Sequence, residues 1–80
     1  IAEGTAIAAP IRVPECLRAL TESEGGAVLL SEDEIAAASL SLAKSGVYVA
    51  PTCAQAAAAF GKLLAAGTLD PKGRNVVVLT

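Results

Sequence analysis

The sequence has no histidine, methionine or tryptophan, one tyrosine, one phenylalanine and only two cysteines in 80 residues. Without histidine, neither a mixed His/Cys metal site nor an imidazole-activated thiolate can be assembled, and Cys16 and Cys53 lie too far apart in sequence to form a CxxC pair. Both read as reduced, buried, small apolar side chains, since a disulfide would require an oxidising compartment that nothing else suggests. With so few aromatics, alanine, leucine and valine must do the packing. A chain this short covers only about 60–65% of the surface its unfolded form exposes, so the expected core is thin. The absence of methionine makes residue 1 no translational start and points to a processed or partial chain. Lys+Arg 6 against Asp+Glu 8 leaves no basic patch, which argues against a nucleic-acid partner or an anionic membrane surface. No apolar run reaches the ~18–20 residues that span a bilayer, and Ile1-Ala2-Glu3-Gly4 has neither the basic start nor the apolar stretch of a secretory signal. A soluble, cytoplasmic chain is the expectation.

What is present is 54% hydrophobic residues against 18% charged, the balance of one globular unit, divided by glycine and proline into alternating stretches. Pro14 opens a helix over 14–23, on which Val13, Cys16, Leu17 and Leu20 share a face and which Gly25-Gly26 ends. The run 27–30 is short, apolar and strand-like. Ser31-Glu32-Asp33-Glu34 has the form of a capping box at an acid-rich helix start. Ile35, Ala38, Ser39, Leu42 and Ala43 then form a stripe, and Gly46 stops the helix after Lys44. A second strand-like run, 47–50, ends at Pro51. Thr52-Cys53-Ala54-Gln55 repeats the capping-box spacing at the head of an alanine-rich helix over 52–66 that Gly67 closes. After a turn at Asp70-Pro71-Lys72-Gly73, the run 76–79 is the most β-prone of the chain. The alternation predicts an α/β architecture, helices covering a mainly parallel sheet joined by right-handed crossovers, in a single domain.

In such sheets ligands collect beyond the carboxyl ends of strands, which singles out Thr52 with Cys53, and Thr80. Thr52 and Ser31 each have a simpler reading as helix caps. The acids at 32–34 read as a solvated helix start rather than a metal site. Lys44, Lys62 and Lys72 lie at helix ends or in polar stretches, without the sheltered pocket a nucleophilic lysine needs. Glu3 reads as a surface carboxylate, and Gly25-Gly26 precedes a strand-like run, the wrong context for a phosphate loop.

Several stretches in register carry a resemblance. Ile1-Ala2-Glu3-Gly4-Thr5-Ala6-Ile7, Ser31-Glu32-Asp33-Glu34, Gly46-Val47-Tyr48-Val49-Ala50-Pro51-Thr52-Cys53-Ala54 and Asn75-Val76-Val77-Val78-Leu79-Thr80 together resemble the C-terminal third of the threonine synthase family, within the fold-type II (tryptophan synthase β-like) enzymes. The resemblance implies a C-terminal segment, residues 1–80, of a two-domain α/β lyase that uses pyridoxal 5'-phosphate, held as a Schiff base on a lysine upstream of Ile1. It implies conversion of O-phosphohomoserine and water to threonine and phosphate by a homo-oligomeric parent.

By the same resemblance, Thr80 takes the position of the Ser or Thr whose hydroxyl bonds the pyridine nitrogen, and Glu3 and Gly4 match the loop beside the cofactor ring. A neutral hydroxyl does not favour a protonated ring as an anion would, which suits elimination and replacement chemistry. No residue of the segment is assigned a catalytic role, and the segment alone is expected to be inactive. Where relatives often carry Glu-Pro this chain has Ala50-Pro51, and where serine is common it has Cys53. Those departures keep a threonine dehydratase-like ammonia-lyase open beside the synthase, and a free-standing α/β interaction module is the non-enzymatic alternative.

Overall fold

The computed structural model describes residues 1–80 and contains a 3₁₀ turn, Glu3–Thr5, followed by three helices: α1 Val13–Glu22, α2 Glu32–Lys44 and α3 Pro51–Ala65. Each helix starts and stops for a local reason. Pro14 and Pro51 stand in the first turns of α1 and α3, where a missing N–H costs no helical hydrogen bond. At α2 the capping box forms as expected: the Ser31 hydroxyl accepts from the Glu34 N–H at 3.2 Å, and the Ser31 N–H donates to Glu34 Oε2 at 2.7 Å.

All three helices end through one pattern of paired backbone hydrogen bonds, in which the chain reverses through a left-handed residue. Gly46 (φ +92) and Gly67 (φ +75) supply that residue after α2 and α3, with the Val47 N–H donating to Leu42 O at 2.9 Å and the Thr68 N–H to Leu63 O at 3.0 Å. After α1 the position belongs to Glu24, at φ 54, while the Gly25 N–H donates to Leu20 O at 2.9 Å. A side chain in this conformation is strained by about 1 kcal/mol or more. Glu24→Gly is therefore expected to raise stability by about 0.5–1 kcal/mol, read as an upward shift in the urea unfolding midpoint. An unchanged or lower midpoint would count against strain at this position.

The helices α2 and α3 pack on each other, and each carries one of the two buried residues, Ile35 on α2 and Ala54 on α3. Ala54 has no exposed surface at all. Ser39 lies on the same stripe of α2 and buries its hydroxyl without a hydrogen-bond partner. Lys62, in the last turn of α3, ties this pair to the preceding segment: its Nζ donates to Leu29 O at 2.8 Å and lies 3.1 Å from Glu34 Oε1. The Ser31 N–H and the Lys62 ammonium together hold the Glu34 carboxyl below its ordinary value, against a small opposing effect of burial.

A carboxylate whose pKa is lowered by folding contributes stability above its unfolded value, about 4.3, and loses that contribution as pH falls through the lower folded value. At neutral pH the chain should therefore unfold at a higher urea concentration than its Glu34→Gln variant, with the gap closing below about pH 4. A gap that stayed constant to pH 3 would remove Glu34 as its source.

The expected α/β sheet is absent. The runs 27–30, 47–50 and 76–79 form no regular secondary structure, and the structure is helical and contains no strand. None of the backbone hydrogen bonds outside the helices joins one of these runs to another. Extended φ/ψ makes a strand only when a neighbour pairs its N–H and C=O groups. Along each run burial alternates, with Val28, Leu30, Val49, Val77 and Leu79 half-buried and the alternate residues open to solvent. Leu29 and Tyr48 are each 90% exposed. The cysteine reading is also corrected: both thiols are free as expected, but Cys16 is exposed, because α1 packs on neither of the other helices, and Cys53 is half-buried.

The expectation of a thin core is met in the extreme. The accessible surface is 6228 Å², whereas a monomeric protein of this mass has about 4,400 Å² by size scaling. The radius of gyration, 13.5 Å, likewise exceeds the ~11.6 Å of a compact domain this long. No helix is long and apolar enough to cross a membrane.

Candidate functional site

The first turn of α3 is where distant parts of the chain meet. Pro51 fixes the helix start with Ala50 at the N-cap, two residues earlier than the Thr52 cap expected from sequence, and no side chain caps this helix. Thr52 and Gln55 do not form the capping box that their spacing suggested. Both side chains are instead directed at residues from the beginning of the chain, and Cys53 between them meets the end of it.

Thr52 abuts Gly4. A β-carbon placed on Gly4 would lie 3.0 Å from Thr52 Oγ1 and 3.2 Å from its Cγ2, so the 3₁₀ turn rests against the helix at a separation that only glycine permits without adjustment. Gln55 Nε2 donates to Thr5 Oγ1 at 2.8 Å. The Thr5 hydroxyl in turn donates to Ala2 O at 3.0 Å, and the backbone bonds Thr5 N–H to Ala2 O and Ala6 N–H to Glu3 O close the turn. On the neighbouring position of α3, Cys53 Sγ donates to the carbonyl oxygen of Thr80.

Gly4 and Thr80, singled out from the sequence, thereby each meet the first turn of α3 although they come from opposite ends of the chain, and Glu3 adjoins Gly4 in the 3₁₀ turn. Their polar groups are uncommitted: the Thr80 hydroxyl makes no hydrogen bond within the chain, and the Glu3 carboxylate has neither a salt bridge nor a hydrogen bond. Thr80 is held by its carbonyl, which leaves its side-chain oxygen free to serve a ligand as donor or acceptor.

The lysines are elsewhere. Lys62 is engaged by Leu29 and Glu34, as described above, and no cluster of His, Cys, Asp and Glu side chains could hold a metal ion. The acids at 32–34 behave as a helix start, as expected. On the flank of α3, an apolar groove of about 300 Å³ runs between Ala56, Phe60 and Leu63 and the segment Val76, Val77 and Val78.

Sequence reasoning assigned Gln55 to a local cap and gave Thr5 no role, although their hydrogen bond joins residues fifty apart in the chain. Capping-box spacing is a purely local signal and carries no information about a partner fifty residues away. The small side chain at Gly4 was noted only through resemblance, and its steric reason emerges from the packed helix.

Comparison with known proteins addresses which chemistry such a site serves. Residues 1–80 match a family model described as pyridoxal-phosphate dependent enzyme. The chain is 36% identical over 81 aligned residues to the threonine synthase of Methanocaldococcus jannaschii, an alignment that takes in 100% of this chain and 20% of that protein. It thus spans about a fifth of the length of the curated relative it matches. No solved structure matches it.

Proposed function

Since the chain belongs to the pyridoxal-phosphate dependent enzyme family, we propose that it is the C-terminal segment of a threonine synthase-like lyase, whose substrates are O-phosphohomoserine and water and whose products are threonine and phosphate. The observation that carries this reading is the gathering of Glu3, Gly4 and Thr80 at the first turn of α3, in a chain 36% identical along its whole length to a threonine synthase. That identity favours the synthase over a dehydratase-like ammonia-lyase, and the family match favours either enzyme over a non-catalytic interaction module. The excess surface fits a segment that is completed by further polypeptide.

The residues present fit one edge of pyridoxal 5'-phosphate. Thr80 supplies an uncommitted neutral hydroxyl for the pyridine nitrogen, and Glu3 and Gly4 form a short loop on the same turn. No glycine-rich cradle or cationic pair for the phosphate accompanies them, so the rest of the cofactor, and the lysine that carries it, belong to other parts of the enzyme. When bound, the cofactor supplies an electron sink for carbanion chemistry at the substrate. Thr80 limits the strength of that sink: an alcohol stays neutral and does not stabilise a pyridinium as a carboxylate would. The first turn of α3 holds the Thr80 backbone so that its hydroxyl remains available. In its cell this enzyme is proposed to be a cytoplasmic homo-oligomer without a nucleic-acid partner.

The test is made on the full-length polypeptide that carries this chain. Reconstituted with pyridoxal 5'-phosphate, it should release inorganic phosphate from O-phosphohomoserine in step with threonine formation. Conversion of threonine to an oxo acid with no phosphate release would replace the synthase by the ammonia-lyase. The 80-residue chain by itself should neither turn over substrate nor, with cofactor added, show stoichiometric Schiff-base absorbance.

A further inference from the structure

Gln55 stands in the first turns of α3 and directs its side chain away from its own helix end, to the Thr5 hydroxyl at 2.8 Å. That hydroxyl passes the connection on to Ala2 O at 3.0 Å. Glu3 and Gly4 lie between these two residues, inside the loop that the pair of hydrogen bonds closes. Of the contacts that hold the 3₁₀ turn against α3, one is the steric meeting of Gly4 with Thr52, which sets a minimum separation but pulls nothing inward. The Gln55 amide is the hydrogen bond that draws the turn to the helix. Two residues earlier on α3, Cys53 contacts Thr80.

We propose that Gln55 is a positioning residue which, acting through the Thr5 hydroxyl, sets the place of Glu3 and Gly4 relative to Thr80 and so shapes the edge that receives the cofactor. The proposal deepens the functional reading above and rests on it. Gln55 itself touches no reacting atom. It acts on Glu3 and Gly4 through one intervening side chain, and its effect is to hold their turn in fixed register on the helix where Cys53 meets Thr80.

The experiment compares full-length wild type with Gln55→Leu, Thr5→Val and the double variant. The readouts are the dissociation constant for pyridoxal 5'-phosphate, from its absorbance on titration, and hydrogen–deuterium exchange of the peptide covering residues 3–6. Gln55→Leu is expected to weaken cofactor binding about 3- to 10-fold and to speed exchange at residues 3–6, the scale set by one neutral hydrogen bond. Thr5→Val, which also removes the hydroxyl's bond to Ala2 O, should lose at least as much, and the double variant should be no worse than Thr5→Val alone, because Gln55→Leu then has no further interaction to remove.

Unchanged exchange at residues 3–6 in Gln55→Leu, or losses in the two single variants that simply multiply, would overturn the proposal. If Gln55→Leu fails to fold, judged by its far-ultraviolet circular dichroism, the Thr5→Val comparison carries the test, with unaltered exchange and binding overturning it. Wild type that binds no cofactor would bring down the functional reading and this one together. Wild type that binds it while both variants match it in affinity and exchange would sink only the role of Gln55.

Discussion

Replacing Thr80 by valine in the full-length enzyme is expected to lower kcat about 10²- to 10³-fold, with the cofactor still bound. The magnitude is that of removing one preorganised hydrogen-bond donor or acceptor from the point where charge develops in the transition state. Valine keeps the β-branched shape, so the loss isolates the hydroxyl oxygen, which makes no bond to the rest of the chain and whose removal leaves no protein group unpaired. Thr80→Ser, which restores an oxygen at the same carbon, should recover most of the activity. Thr80→Asp should behave differently from both, because an anion stabilises a protonated ring nitrogen and strengthens the electron sink. Its cofactor absorbance should shift, and a larger share of turnovers should leave the productive route. Measured kcat for Thr80→Val within threefold of wild type, at equal cofactor occupancy, would withdraw Thr80 from the site.

The division between what the sequence revealed and what it did not follows the range of the forces involved. Helix ends are decided within a few residues, and they were legible: the Ser31–Glu34 box, Gly46 and Gly67 all act where they were read, and Pro14 stands one position further into its helix than its reading as the opening residue. The start of α3 was misread because two local signals competed. Pro51, with its fixed φ, began the helix before Thr52 could cap it, and this released Thr52 and Gln55 for contacts with residues 4 and 5. Strands fail for the opposite reason. The run 76–79 has the composition of a strand, but a ladder requires a second edge beside it, and β-propensity reports side chains suited to a pleated surface, not the presence of that partner. Glu3, Gly4 and Thr80 could be named through family resemblance, yet neither spacing nor periodicity places residues 4 and 80 on one turn of helix. That placement is a property of the packed chain alone.

The second large effect concerns that packing and can be both produced and reversed. Gly4→Ala adds a β-carbon 3.0 Å from Thr52 Oγ1 and 3.2 Å from Cγ2, closer than ordinary van der Waals contact, so the Thr52 side chain or the turn must give by a few tenths of an ångström. Overpacking of this kind costs about 1–3 kcal/mol. In the full-length enzyme the expected result is roughly a tenfold or greater loss in cofactor affinity, since about 1.4 kcal/mol corresponds to each factor of ten. Thr52→Ala removes both of the nearest atoms and leaves only the Thr52 Cβ, 3.6 Å from the new carbon, which is ordinary contact. Combining the two substitutions should therefore recover most of the loss caused by Gly4→Ala, a favourable coupling that two independent lesions cannot produce. If Gly4 were required for its backbone freedom and not for its closeness to the helix, Thr52→Ala would rescue nothing and the losses would add. The sign of the coupling thus decides whether residues 3–5 are placed by contact with α3, which is the geometric premise for assigning both ends of the chain to one site.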